Sequence, residues 1–129
     1  MNKYSLEYFS AKKISFALVK NNKIIYRSKS QGLKPLIFCA KKHRSLIRGA
    51  LVYDKVIGFA SALILNYIKV KEVLTPTISV SALSFLRKNK IRVKYQKKVN
   101  HILNKKRSGL CPMEKLCQGK TALEFIKSF

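Results

Sequence analysis

Apolar residues recur along this 129-residue chain in two rhythms, one near 3.6 and one of 2, and the switches between them mark its elements. Tyr4, Leu6 and Phe9 fall at helical spacing and predict a short helix over 3–10. Two β-rich runs follow, 14–19 and 23–27, joined at Asn21-Asn22, whose tolerance of positive φ suits a tight hairpin turn. Ser30-Gln31-Gly32 interrupts the pattern, and Pro35 then stands in the first turn of a helix to about Lys42, with Leu36, Ile37 and Ala40 on its apolar side. The unbroken apolar run 49–53 reads as a strand covered on both faces. Asp54, a good N-cap, is expected to open a long helix to about Tyr67. Gly58, Ala60 and Ala62 leave that helix thin on one side, so it can lie close against a sheet.

Residues 70–75 read as the next strand, ended by Pro76, and Ser79 or Ser81 caps a helix through Lys88 carrying Val80, Leu83 and Leu86. Ile91, Val93 and Tyr95 alternate with Arg92 and Lys94, as in a half-exposed edge strand. A turn around His101 leads to a polar loop over 104–109, after which Cys111-Pro112-Met113-Glu114 starts a helix and Thr121-Ala122-Leu123-Glu124 forms a capping box for the last one. A hairpin, three helix–strand units and a helical tail predict an α/β fold. It is a three-layer sandwich, a mixed β-sheet with helices on both faces. The chain reads as a single domain over 1–129, of which about 104–129 form a loop and helical C-terminal tail.

No apolar run reaches the ~18 residues of a membrane span. The longest, 56–68, is broken by Gly58, Ser61 and Asn66, and the first residues carry no signal-peptide core, so a cytoplasmic protein without a membrane contact is expected. The formal net charge of +23, from 28 Lys and Arg against 5 Asp and Glu, raises a second picture. Counterion release gives such a chain affinity for nucleic acid. Only six of the cations are arginine, the residue that reads phosphates and guanine bidentately, so compositional drift toward lysine accounts for the charge more simply. Weak, non-specific nucleic-acid binding is what this leaves, with 87–107 as its densest stretch. Three cysteines, Cys39, Cys111 and Cys117, make no disulfide framework, and His43 and His101 stand apart from them. No metal and no cofactor is expected.

Candidate chemistry gathers in two segments. Cys111 stands at an N-cap, with Pro112 at the first helical position and Glu114 at the third, a capping box with sulfur in place of a hydroxyl. Free backbone N–H groups and the helix dipole favour thiolate there. Asp54-Lys55-Val56-Ile57-Gly58 is the second segment, and Asp54 is the only aspartate in the chain. Cys39, among apolar helix residues, and Cys117, six positions beyond Cys111, read as structural.

With Gly32-Leu33-Lys34-Pro35-Leu36, Asp54-Lys55-Val56-Ile57-Gly58 and Gly109-Leu110-Cys111-Pro112-Met113-Glu114, the chain resembles a small prokaryotic family known only as a domain of unknown function, over about 14–129. The resemblance implies a cytidine-deaminase-like fold and a crevice at the helix starts, without an activity. Deaminases of that fold hold zinc through His (or Cys)-x-Glu at one helix start and Pro-Cys-x-x-Cys at the next. Here the corresponding stations, 32–35 and 54–58, contain neither His nor Cys, so zinc-hydroxide deamination has no ligands. The expected function is a small-molecule-binding or enzymatic domain with a zinc-free crevice and an unknown substrate. In it Cys111 is the nucleophile, Lys55 an anion holder, Asp54 or Glu114 a proton acceptor, and Lys34, Gly58 and Gly109 ligand contacts. The alternative is a non-enzymatic basic protein binding nucleic acid or a protein partner.

Overall fold

The computed structural model describes residues 4–30, 32–102, 109 and 112–128. Helix α1 (Leu6–Ala11) is capped by Ser5, whose Oγ accepts from the Tyr8 N–H at 3.1 Å. Strands β1 (Phe16–Lys20) and β2 (Lys23–Ser28) form the expected hairpin. Asn21 and Asn22 have φ of 53° and 62°, the left-handed pair that a two-residue turn matching the strand twist requires. Then come α2 (Lys34–Lys42), a short α3 (Arg44–Ile47), β3 (Leu51–Asp54), β4 (Val56–Ile57) and α4 (Phe59–Ile68). The order closes with β5 (Glu72–Ser79), α5 (Val80–Lys88), β6 (Arg92–Val99), α6 (Pro112–Leu116) and α7 (Ala122–Lys127).

The strands make one mixed sheet in the order β2-β1-β3-β5, with β4 also on β5 and β6 pairing β5 on its other side. β1 runs antiparallel to β2 and β3, whereas β3, β4 and β6 all run parallel to β5. β3 and β4 are one strand interrupted: Tyr53 pairs with Leu74 and Val56 with Thr77, so the register is unchanged across the gap. Lys55 therefore lies opposite Pro76, which has no N–H to donate to the ladder. The neighbouring Thr75 hydroxyl bridges the same stretch, donating to the Thr77 carbonyl at 2.9 Å.

Helices lie on both faces, but unequally. The larger apolar cluster is built by α2, α4, α5 and α7 against Phe16, Leu18, Val52, Val73 and Ile78. On the second face, among the described residues, α1 alone presses Leu6 and Phe9 onto Ala17, Tyr53 and Leu74, with the Phe9 and Tyr53 rings stacked at 4.8 Å. Among the described residues no helix is long and apolar enough to cross a membrane.

Two expectations about element boundaries need correction. Asp54 is not a helix N-cap: it ends β3, and α4 begins five residues later with Gly58 in extended backbone as its N-cap. Val56 and Ile57, both β-branched, continue the pairing with β5 instead of starting the helix. Nor does Pro76 end its strand: the pairing of β5 with β4 and with β6 resumes at Thr77. The cap at Ser79 and the Thr121–Glu124 capping box form as expected.

Candidate functional site

Alternation along β3 sends Val52 to the helix-rich face and Tyr53 to the other, so Asp54 points toward the helices. At that end of the strand the starts of α2 and α4 come together, the usual place for a ligand in an open α/β sheet. A cavity of about 270 Å³ lies there, lined by Gly32 and Leu33 before α2, Asp54 and Lys55 after β3, and Gly58, Ala60 and Ser61 at the start of α4. Ser15, Ser30, Val56, Ile102 and Glu114 complete its walls. Ser15 belongs because β1 is antiparallel to β3, which returns the start of β1 to the end of β3. Its carbonyl accepts from the Lys55 N–H at 2.9 Å, and its hydroxyl donates to the Ser28 carbonyl at 3.1 Å.

Asp54 is only 6% exposed. Burial pushes its carboxyl well above the usual carboxylate range, while the backbone amides of Val56 and Lys55 pull less strongly the other way. In its protonated form a carboxyl donates through its hydroxyl and accepts through its carbonyl side by side.

Glu114 is the second acid on the cavity wall, and its partners lie far away in sequence. Its Oε1 accepts from the Phe59 N–H and its Oε2 from the Ala60 N–H, each at 2.8 Å. Gly58 has no side chain with which to cap α4, so the carboxylate of α6 satisfies two of the amides that every helix start leaves free. Space explains the glycine: a Cβ at Gly58 would stand 2.7 Å from the Glu114 Cδ and 2.9 Å from the Ile102 Cγ1. The backbone there is ordinary extended chain, so close approach rather than conformation demands the missing side chain.

The sequence-derived site is thus assembled in part. Asp54, Lys55, Gly58 and Glu114 share the cavity, with Lys55 exposed at its edge. Lys34 does not line it: the exposed first residue of α2 is displaced from the wall by Gly32 and Leu33. Gly109 does not line it either, and the nearest atom to a Cβ built on it is the Lys115 Nζ at 4.0 Å. Glu114, expected to serve the start of its own helix, has both oxygens engaged by α4. Cys111 and the cap assigned to it lie outside the described residues. Cys39 and Cys117 are buried in the large cluster, and the Cys117 Sγ donates to the Glu114 carbonyl at 3.4 Å. Burial raises the Cys39 thiol to about 11, well away from thiolate at neutral pH. Sequence reasoning missed Ser15, Ser30 and Ile102, for which only the hairpin register and the chain's return after β6 would have been signals. Among the described residues no three His, Cys, Asp or Glu side chains gather where they could hold a metal ion.

Comparison with known proteins adds a family but no chemistry. Residues 5–129 match the model of a family described as TM1506, a domain of unknown function (DUF1893). A crystal structure of a DUF1893 family protein (TM1506) from Thermotoga maritima is similar at a TM-score of 0.83 and 30% identity, covering 95% of this chain and 83% of that one. No curated protein matches.

Proposed function

The chain belongs to the DUF1893 family, and from that premise we propose that its cavity binds a small planar molecule offering a hydrogen-bond donor beside an acceptor, with Asp54 as the recognising group. The observation that carries this reading is the placement of the buried Asp54 in the wall of a cavity at the carboxyl end of β3. A buried carboxyl is costly, and it is uncommon in a wall built for packing alone. The volume, about 270 Å³, sits at the small end of ligand pockets and suits a single ring rather than a dinucleotide. A lactam or amide edge would meet the Asp54 carboxyl with two parallel hydrogen bonds. Lys55, exposed at the edge, is free to meet an anionic substituent.

The same proposal keeps Cys111 as the nucleophilic group beside the bound ring. Cys111 stands three positions before Glu114, which reaches the cavity wall. Glu114 serves in this reading as a positioning residue, since its carboxylate already holds the start of α4. The element order, a hairpin followed by alternating helices and parallel strands, supports a cytidine-deaminase-like scaffold that carries Asp54 at the end of β3 and Gly58 at the cap of α4 where zinc ligands would be expected.

A panel of single-ring probes (2-pyridone, uracil, benzamide and toluene) read by ligand-observed NMR and thermal shift tests the binding. The amide-edged rings are expected to bind and toluene not. Asp54→Asn, which keeps a donor and an acceptor, is expected to retain binding, and Asp54→Leu to abolish it. Equal binding of all four probes, or binding indifferent to Asp54→Leu, would sink the proposal.

A further inference from the structure

Among the described residues the densest run of positive charge lies along the strand that closes the sheet and its approach, away from the cavity. β6 pairs with β5 on one side, and among the described residues no strand pairs with its other side. Along it Val93 and Tyr95 turn to the helices and pack on the core, while Arg92, Lys94 and Gln96 alternate with them on the open side. Lys97 and Lys98 are exposed beyond them. The end of α5 and the turn after it add exposed Arg87, Lys88 and Lys90, and the Arg87 guanidinium lies 5.9 Å from the centre of the Tyr95 ring. Between 87 and 98 there is no acidic residue. Among the described residues one carboxylate answers the group, Glu72, whose Oε2 is 3.8 Å from the Lys94 Nζ.

Charge on an edge strand has an ordinary purpose, which is to prevent edge-to-edge pairing. One or two lysines accomplish that, whereas this strand and its approach carry seven cations in twelve positions. Alternate residues on a strand are about 6.6 Å apart, comparable with the step between successive phosphates of an extended single strand. None of the large exposed apolar side chains falls between 87 and 98, so the surface has nothing to insert into a lipid layer.

From this placement we infer that the β6 edge and the end of α5 form a binding surface for single-stranded nucleic acid, recognised through its phosphates and not its sequence. Lysine predominates at the strand's far end, Lys94, Lys97 and Lys98, and lysine binds phosphate as a point charge, which suits backbone contact without base readout. Affinity is therefore expected to fall steeply with salt, by about 0.7 in log K per log salt for each phosphate met, or a slope near −3 for four contacts.

The test is fluorescence anisotropy with a labelled oligothymidylate across a salt series. Wild type is compared with Arg92→Gln/Lys94→Gln/Lys97→Gln/Lys98→Gln and with a control losing the same charge elsewhere, Lys13→Gln/Lys23→Gln/Lys29→Gln/Lys42→Gln. All eight positions are exposed, and thermal melts verify that both variants are folded. The β6 variant is expected to bind at least tenfold more weakly near 0.1 M salt with its slope reduced toward zero, and the control to stay within about threefold of wild type. Equal losses in the two variants would show the charge to be diffuse and overturn the inference. So would wild-type binding to phosphatidylserine vesicles without binding to the oligonucleotide.

Discussion

Removing the Glu114 carboxylate gives the sharpest reading of how the cavity wall is held. Glu114→Ala deletes two hydrogen bonds of 2.8 Å that a charged group accepts from the first amides of α4. Loss of a helix cap costs about 1 kcal/mol, and loss of a negative charge at a partly buried helix start about 0.5–1 kcal/mol more. The two hydrogen bonds are only partly buried, so the larger penalty of a dry, unpaired donor is not counted, and about 2 kcal/mol is the expected cost. At about 2.1 cal/mol/K per residue, the chain's unfolding entropy is about 0.27 kcal/mol/K, which converts that cost to a fall in Tm of about 7 °C. Glu114→Gln keeps one acceptor and loses the charge, so about half that fall is expected. Gly58→Ala places a methyl group where the carboxyl stands and should expel it. In the Glu114→Ala background the same methyl meets only Ile102, so the two substitutions together cost less than their sum, by about 1–2 kcal/mol. Calorimetric melts and urea titrations of wild type and the four variants measure this directly. Strict additivity, or a Glu114→Ala protein within about 0.5 kcal/mol of wild type, would refute the capping argument.

Two further outcomes follow from the titratable groups. Asp54 has a folded-state pKa above its unfolded value, so the folded chain holds the extra proton. Stability from this group is full below about pH 4, the unfolded value, and is lost as pH rises toward the folded one, with a slope of at most about 1.4 kcal/mol per pH unit. Asp54→Asn should flatten that part of the pH–stability curve and leave the protein more stable than wild type near neutrality; a slope unchanged by the substitution would show that Asp54 does not carry it. For the thiols, mass-resolved iodoacetamide labelling of the native protein near pH 7.5 is expected to modify Cys111 at least tenfold faster than Cys39, whose thiol burial raises to about 11, or the buried Cys117. In urea the three rates should converge, and a native Cys111 no faster than Cys39 would remove the nucleophile from the proposed site.

What the sequence determined by itself depends on neighbours within a turn or a strand pair. The Asn21-Asn22 hairpin, the Ser79 cap, the Thr121–Glu124 box and the alternation of β6 are all written in contiguous residues, because their partners lie two to four positions away. Asp54 and Glu114 were legible as polar residues in unusual places, but their roles were not. A carboxylate before an apolar run is as consistent with an N-cap as with a strand end. What decided between them was β5, whose edge offered Val56 and Ile57 a pairing that a helix start would have forfeited. Glu114 sits where a capping box would put it, yet its partners are 54 and 55 residues distant in sequence. No local pattern specifies a contact of that separation. It exists because packing brings α6 against the start of α4, and because Gly58 leaves the room for a carboxyl to enter.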